Sequence, residues 1–216
     1  MSKEALESKA EQLLSDYLGG HHLRSRQALD IDSFAEFFLG ANIDYQRLSL
    51  DDSVLGMSIF QPLLMSLSRP SGGVVDVVFP GQTILIDSDA LADSPESRLR
   101  FTLAHECSHL ILHKHIYYRD PAMKCSSNNG YQPFTTASES ARSDKLDRAE
   151  FQANYLGAAL LMPREPFTDT FNHFVPHGWY SLNDFGKREA VTKIAATFGV
   201  SLQATAIRIK NLKLAG

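Results

Sequence analysis

Near the start of the chain apolar residues return every three to four positions: Leu6, Ala10, Leu13, Leu14 and Tyr17 share one helical face, and Gly19-Gly20 follows. This spacing predicts a helix over about 3–18, stopped by the glycine pair. Ile31, Phe34, Ala35 and Phe38 repeat the pattern behind Asp32, the expected cap, and end at Gly40. From Ile43 the texture changes to short apolar or alternating runs (IDYQRL, GMSIF, LLMSL, GGVVDVVF, TILID) parted by Pro, Gly and Ser, which predicts a small sheet. Its last two runs, 74–79 and 83–86, flank Pro80-Gly81 and predict an antiparallel hairpin. Ser94-Pro95 then predicts a long helix running to about His113, with Ser94 as cap and Pro95 at the first helical position, where a missing N–H costs nothing. Residues 117–143 are polar, aperiodic and longer than most connections, so a mobile lid or a disordered stretch is expected there. Another helix is expected over about 144–162, ending at Pro163; 164–185 reads as irregular and aromatic, and two short helices close the chain.

Composition narrows the class. A chain of 216 residues can bury one substantial core, and 44% apolar with 21% charged residues describes an ordinary globular protein. A net charge of −4 gives no global attraction to nucleic acid or anionic lipid, so any such binding needs a local patch. The longest apolar stretch, Tyr155–Met162, is too short to cross a bilayer. The first residues carry acids from position 4 and no apolar block of signal length. The expectation is a cytoplasmic protein with no membrane partner. Cys107 and Cys125, without a CxxC, read as free thiols in a reducing compartment; the minor alternative is Cys125 as a redox-sensitive residue or extra metal ligand.

The long helix from Pro95 contains FTLAHECSHLILH, Phe101 to His113. Helical residues i and i+4 lie on one face with Cβ atoms about 5–6 Å apart, so the imidazoles of His105 and His109 can reach one ion. Zinc takes histidine nitrogen at about 2.0–2.1 Å, and such a pair suits two corners of a tetrahedral site. Glu106 is turned about 100° from His105 and so flanks the ion rather than binding it. A carboxylate there can take a proton from a water that the ion acidifies and later protonate a leaving amine. This is the HExxH logic of a metallopeptidase; the alternative is a set of solvated or core histidines. His113 and His115 continue toward the helix end, where a cationic side chain favours the carbonyl dipole, and both are read that way rather than as metal contacts.

A catalytic zinc takes three protein ligands and keeps a position for water. In SDKLDRAEFQANYLGAALLMP, Leu146, Ala149, Ala153, Leu156, Gly157 and Leu160 form an apolar stripe, and Glu150 falls within it. Burying a carboxylate is costly unless a cation meets it, and that cation could be a metal or a core arginine such as Arg98 or Arg100. Ala153 and Gly157 leave little bulk and would let this helix approach the first closely. Asn154, one turn beyond Glu150, is placed to hydrogen-bond a ligand imidazole and fix its tautomer.

With these residues in view, RLRFTLAHECSHLILH followed by EFQANYLGAALLMP resembles the ImmA/IrrE family of zinc metallopeptidases, and the likeness extends to the N-terminal helix, DIDSFAEFFLGANI and ILID. The resemblance implies His105, His109 and Glu150 as Zn2+ ligands and Glu106 as the catalytic acid/base. The fold it implies is α+β and zincin-like, of the gluzincin type: a small mixed sheet against the active helix, with the glutamate ligand on the next helix. On this reading residues 1–186 form the metallopeptidase domain and 187–216 a helix-turn-helix-like segment packed on it or appended to it. Cys107 and Ser108 replace the more usual residues inside HExxH and are expected to point away from the metal face.

Two further segments offer candidates. FNHFVPHGWY, Phe171 to Tyr180, contains His173, His177 and Tyr180 as oxyanion donors, or simply a loop of packed aromatics and exposed histidines. In AVTKIAATFGVSLQATAIRIKNL the spacing of Ala195, Gly199, Ser201 and Ile207 matches a helix-turn-helix, and Lys187, Arg188, Lys193, Arg208, Lys210 and Lys213 outnumber Glu189. Those basic residues allow a DNA patch that Arg208→Ala would abolish; the alternative is a helical pair docked on the body or on a partner.

The family resemblance implies an endopeptidase that cuts a cognate helix-turn-helix repressor, an anti-repressor acting on a phage-like, stress-response or toxin–antitoxin operon. Two other readings stand beside it: a metal-containing transcription regulator that binds DNA through the C-terminal helices, and a toxin whose partner is an antitoxin and which acts without proteolysis. Glu106 favours the first, because a purely structural site has no use for an acid/base beside the metal.

Overall fold

In the computed structural model the described residues are all except 50, 52, 70, 71, 93, 120–124, 129–136 and 216, and for 90, 117–119, 125–128 and 137–145 the backbone alone is described. The chain opens with α1 (Lys3–Asp16), whose first turn is capped by the Ser2 side chain accepting from the Ala5 N–H. A run of left-handed residues, Leu18, Gly19 and Gly20, turns the chain out of it. α2 (Ile31–Ser33) continues as a wider π turn through Phe38, and Gly40, at φ +65°, ends it. Its cap is Asp30 rather than Asp32: the Asp30 carboxylate accepts from the Ser33 N–H at 3.0 Å, and Ile31 is already helical and fully buried.

Five strands follow: β1 (Asn42–Gln46), β2 (Val54–Ile59), β3 (Leu63–Ser68), β4 (Val74–Phe79) and β5 (Thr83–Asp87). They do not pair as the sequence predicts. β4 lies antiparallel to β3 in a two-stranded sheet, whereas β5 crosses to a second sheet, parallel to β1 and antiparallel to β2. The expected 74–86 hairpin is therefore absent. The reason lies in burial: β5 is buried at every position, with Ile84 and Ile86 in the main core and Leu85 in a smaller one shared with Met57, Ile59, Leu67 and Phe79. A strand covered on both faces belongs in the middle of a sheet, and β4, whose residues alternate in exposure, does not offer that cover.

After α3 (Ser88–Ala92), the long helix α4 (Glu96–Leu112) starts one residue later than expected, with Pro95 rather than Ser94 in the flanking cap position. α5 (Lys114–Arg119) comes next. β6 (Cys125–Asn128) then adds antiparallel to β2, giving the mixed order β1-β5-β2-β6. α6 (Ala137–Leu161) begins about seven residues earlier than periodicity suggests. The stretch expected to be irregular over 117–143 thus contains a strand and a helix start; its parts at 120–124 and 129–136 lie outside the described residues, as does the side chain of Cys125. α7 (Arg164–Phe174) is a second correction, a regular helix where an irregular segment is expected. Pro163 stands just ahead of it, and Phe167, Thr170 and Phe171 bury one face.

α8 (Asp184–Phe198) and α9 (Leu202–Asn211) meet at Gly199, which is left-handed at φ +62°, and Ser201 caps α9 by accepting from the Ala204 N–H. The pair packs on the rest of the molecule. Arg208 of α9 is 1% exposed, donates to the Met162 carbonyl at 3.0 Å and forms a two-point ion pair with Glu7 of α1, which also accepts from the Tyr155 hydroxyl. Arg208 is therefore not part of any surface patch. Among the described residues no single helix is long and apolar enough to cross a membrane. The architecture is α+β, with α4 packed between α6 and the face of β2 and β5.

Candidate metal centre

α4 and α6 meet closely because small residues line their contact. A Cβ added at Gly157 would lie 3.2 Å from the Ala104 carbonyl and the His105 nitrogen, and Ala104 and Ala153 are fully buried. This contact brings Glu150, on α6, over the histidine face of α4.

There His105 Nε2 and His109 Nε2 stand 3.0 Å apart, Glu150 Oε2 is 3.2 Å from the first and Glu150 Oε1 3.3 Å from the second. Both imidazoles are buried and the carboxylate is half-buried. Two ligands bound at about 2.0–2.1 Å with a tetrahedral angle between them sit about 3.3 Å apart. The observed spacings match that edge, and these three residues form a cluster of ligand atoms all within 4.8 Å of one another. The electrostatics agree. Burial alone would raise the Glu150 carboxyl, but hydrogen bonds with His105 and His109 outweigh it and bring it down to about 2. Burial alone would lower His105, yet its bond to Glu150 and the charge of Glu106 raise it. Glu150 and His105 are thus both driven toward their charged forms, and the Glu150 carboxylate favours a positive charge beside it. The donor set of two imidazoles and a carboxylate fits a divalent ion such as zinc.

Asn154 sits where the sequence places it: His105 Nδ1 is 3.1 Å from Asn154 Oδ1. With Nδ1 donating its proton there, the Nε2 lone pair is left free to face the cluster, where it could hold an ion. Arg98 and Arg100 do not meet Glu150; Arg100 donates to the Leu29 and Gly199 carbonyls, and Arg98 donates to Ser94. Cys107 and Ser108 are buried away from the cluster, the first in the main core, where burial pushes its thiol far up, and the second donating to the Ala104 carbonyl.

Glu106 is fully buried. Its Oε2 accepts from the Ser58 hydroxyl of β2 at 2.6 Å, while Oε1 has no hydrogen-bond partner among the described residues. An unpaired buried carboxylate oxygen is costly in a resting core. β2 makes this possible by alternation: Met57 and Ile59 face the smaller core, so Gly56 and Ser58 face α4. A Cβ at Gly56 would lie 3.1 Å from Glu106 Cγ and 3.2 Å from Oε1. Sequence reasoning missed Ser58, although a lone hydroxyl in step with a glycine inside GMSIF is the signal that marks it.

His113 is also part of the site's surroundings rather than a solvated helix end. It is 1% exposed, its Nδ1 is 3.0 Å from His109 Nδ1, and its Nε2 is 3.2 Å from Gln152 Oε1. Burial first and the neighbouring His109 second lower it to about 4, so it is neutral at ordinary pH. His115 is exposed. The three candidate oxyanion donors lie on other elements than the two helices of the cluster: His173 is exposed near the end of α7, His177 is exposed in the turn after it, and Tyr180 is 77% exposed in a short 3₁₀ turn.

Comparison with known proteins adds one finding. The family model described as the IrrE N-terminal-like domain, Peptidase M78, matches residues 76–210, which contain every member of the cluster. No curated protein matches the chain.

Proposed function

Since the chain belongs to the IrrE N-terminal-like domain family of metallopeptidases, we propose that it is a zinc-dependent endopeptidase whose substrate is a cognate helix-turn-helix repressor. His105, His109 and Glu150 would hold the ion. When bound, zinc supplies Lewis acidity to a peptide carbonyl and lowers the pKa of water from about 15.7 to about 7. The chain's own residues do the rest. Asn154 holds the His105 ring with its Nε2 lone pair toward the centre. Ser58 fixes Glu106 through Oε2 and leaves Oε1 to accept a proton and return it to the departing amine.

The observation that carries the metal reading is the convergence of two Nε2 atoms and a carboxylate at 3.0–3.3 Å. The repressor as substrate, and the regulation of a phage-like, stress-response or toxin–antitoxin operon, draw their support from the ImmA/IrrE likeness of HECSH and EFQANYLGAALLMP. The DNA-binding alternative loses one of its six basic residues, because Arg208 is spent on Glu7.

Glu106→Gln tests the reading. The variant is expected to bind zinc as the parent does and to leave intact the repressor encoded beside the gene, which the parent cuts. A variant that cuts as well as the parent would remove the peptidase mechanism.

A further inference from the structure

The two ligand histidines are held differently. His105 gives its Nδ1 proton directly to an amide oxygen on α6, Asn154 Oδ1. His109 meets another histidine instead, and that histidine meets a second amide oxygen on the same helix, Gln152 Oε1. We infer that His113 and Gln152 form a hydrogen-bond relay that fixes the tautomer and ring plane of His109, making His113 a positioning residue for the metal centre. The inference rests on the metal reading above.

Proton counting sets the direction of the relay. For His109 to present a lone pair at Nε2, its proton must sit on Nδ1, 3.0 Å from His113 Nδ1. His113 Nδ1 must then accept, so its own proton sits on Nε2, which donates to the Gln152 oxygen at 3.2 Å. Reversing any bond would put a proton on His109 Nε2, aimed at His105 Nε2 only 3.0 Å away and blocking the ligand position. His113 can serve only as an uncharged imidazole, since a doubly protonated ring has no acceptor at Nδ1. Its setting suits that: the ring is 1% exposed and lies one turn beyond His109, with centroids 5.0 Å apart and the planes tilted by 55°. α6 thus addresses the site at alternate positions, Glu150 as ligand, Gln152 for His109 by way of His113, and Asn154 for His105. The relay also accounts for a third buried histidine at i+8, in the cap position at the end of α4, which the HExxH pattern does not require.

The test compares His113→Leu, which keeps bulk but removes the acceptor, with His113→Asn, whose side-chain oxygen can take the place of Nδ1. Zinc affinity is measured by competition with a chromogenic chelator, with the far-ultraviolet circular dichroism of each metal-free variant checked against the parent. Partners of ligand imidazoles typically carry about 10–100-fold in metal affinity. His113→Leu is expected to bind zinc weaker by that factor, and His113→Asn to recover most of it. The visible spectrum of the cobalt-loaded protein should shift in His113→Leu and return toward the parent's in His113→Asn. If His113→Leu does not fold, Gln152→Leu carries the test, with an expected loss at the low end of the same range, about tenfold. A His113→Leu or Gln152→Leu protein that binds zinc as tightly as the parent, or a His113→Asn protein as weak as His113→Leu, would overturn the relay while leaving the metal centre standing. A parent that binds no zinc would overturn both.

Discussion

The Ser58 hydroxyl on β2 donates a 2.6 Å hydrogen bond to Oε2 of Glu106 on α4, so a strand residue orients the carboxylate proposed as acid/base, while its other oxygen has no hydrogen-bond partner among the described residues. Ser58→Ala removes the aim without touching a ligand. Zinc content should stay at the parent's level while kcat for the proposed peptide cleavage falls about tenfold, a barrier increase of about 1.4 kcal/mol. Steady-state kinetics beside metal analysis checks this, and an unchanged kcat would show that the bond has no part in the reaction.

The helix contact that brings Glu150 to the histidines depends on the missing side chain of Gly157, where a Cβ would already press on α4 backbone at 3.2 Å. Gly157→Val should destabilise the fold by about 1–3 kcal/mol through overpacking and weaken zinc binding as Glu150 moves out of register. Thermal unfolding and chelator competition measure the two effects; a variant with both at parent values would mean that the helices part without cost.

Arg208 and Glu7 join the last helix to the first in a buried ion pair. Arg208→Ala leaves the Glu7 carboxylate uncompensated and should cost about 3–5 kcal/mol, read by chemical denaturation. The same variant is a poor probe of DNA contact, because its first effect is on folding.

Cys107 is fully buried with its thiol driven upward by desolvation. In a Cys125→Ser background the native protein should not react with a thiol reagent, and should take up one equivalent once unfolded. Rapid native labelling would contradict the packing of α4.

Removal of the metal should be reversible and visible in stability. Zinc held at about a hundred times its dissociation constant adds about 2.7 kcal/mol, which for a chain of this size raises Tm by about 5–11 °C. A chelator should abolish cleavage and lower Tm, and added zinc should restore both.

The site was largely legible because its geometry is local to two helices. His105 and His109 are one turn apart, Glu150 is an acid inside an apolar stripe, and Asn154 follows it by one turn, so helical period alone puts them on facing sides. The longer helices were legible for the same reason, except for α7, whose Phe167, Thr170, Phe171 and Phe174 keep helical spacing behind Pro163 but among many aromatics; the short α3 and α5 are too brief to show a period. What failed was non-local. Strand pairing is decided by which strand can be covered on both faces, and the run 83–87 alone does not reveal that β1 and β2 will flank it. Ser58 and Gln152 were missed because neither belongs to a helical stripe or motif that points at the histidines; only the packed structure sets one against Glu106 and the other against His113. His113 was misread because a histidine near a helix end has a sufficient local explanation in the dipole, and only the facing helix shows that it is buried.

The central claim is that one divalent ion is held by two imidazoles and one carboxylate drawn from α4 and α6. X-ray absorption at the zinc edge of the purified, zinc-loaded protein tests it most directly. The account predicts one zinc per chain, with two imidazole nitrogens and carboxylate or water oxygens at about 2.0–2.2 Å, and loss of the imidazole scattering in His105→Ala/His109→Ala. A protein that takes up no zinc, or a shell without two imidazoles, would contradict it.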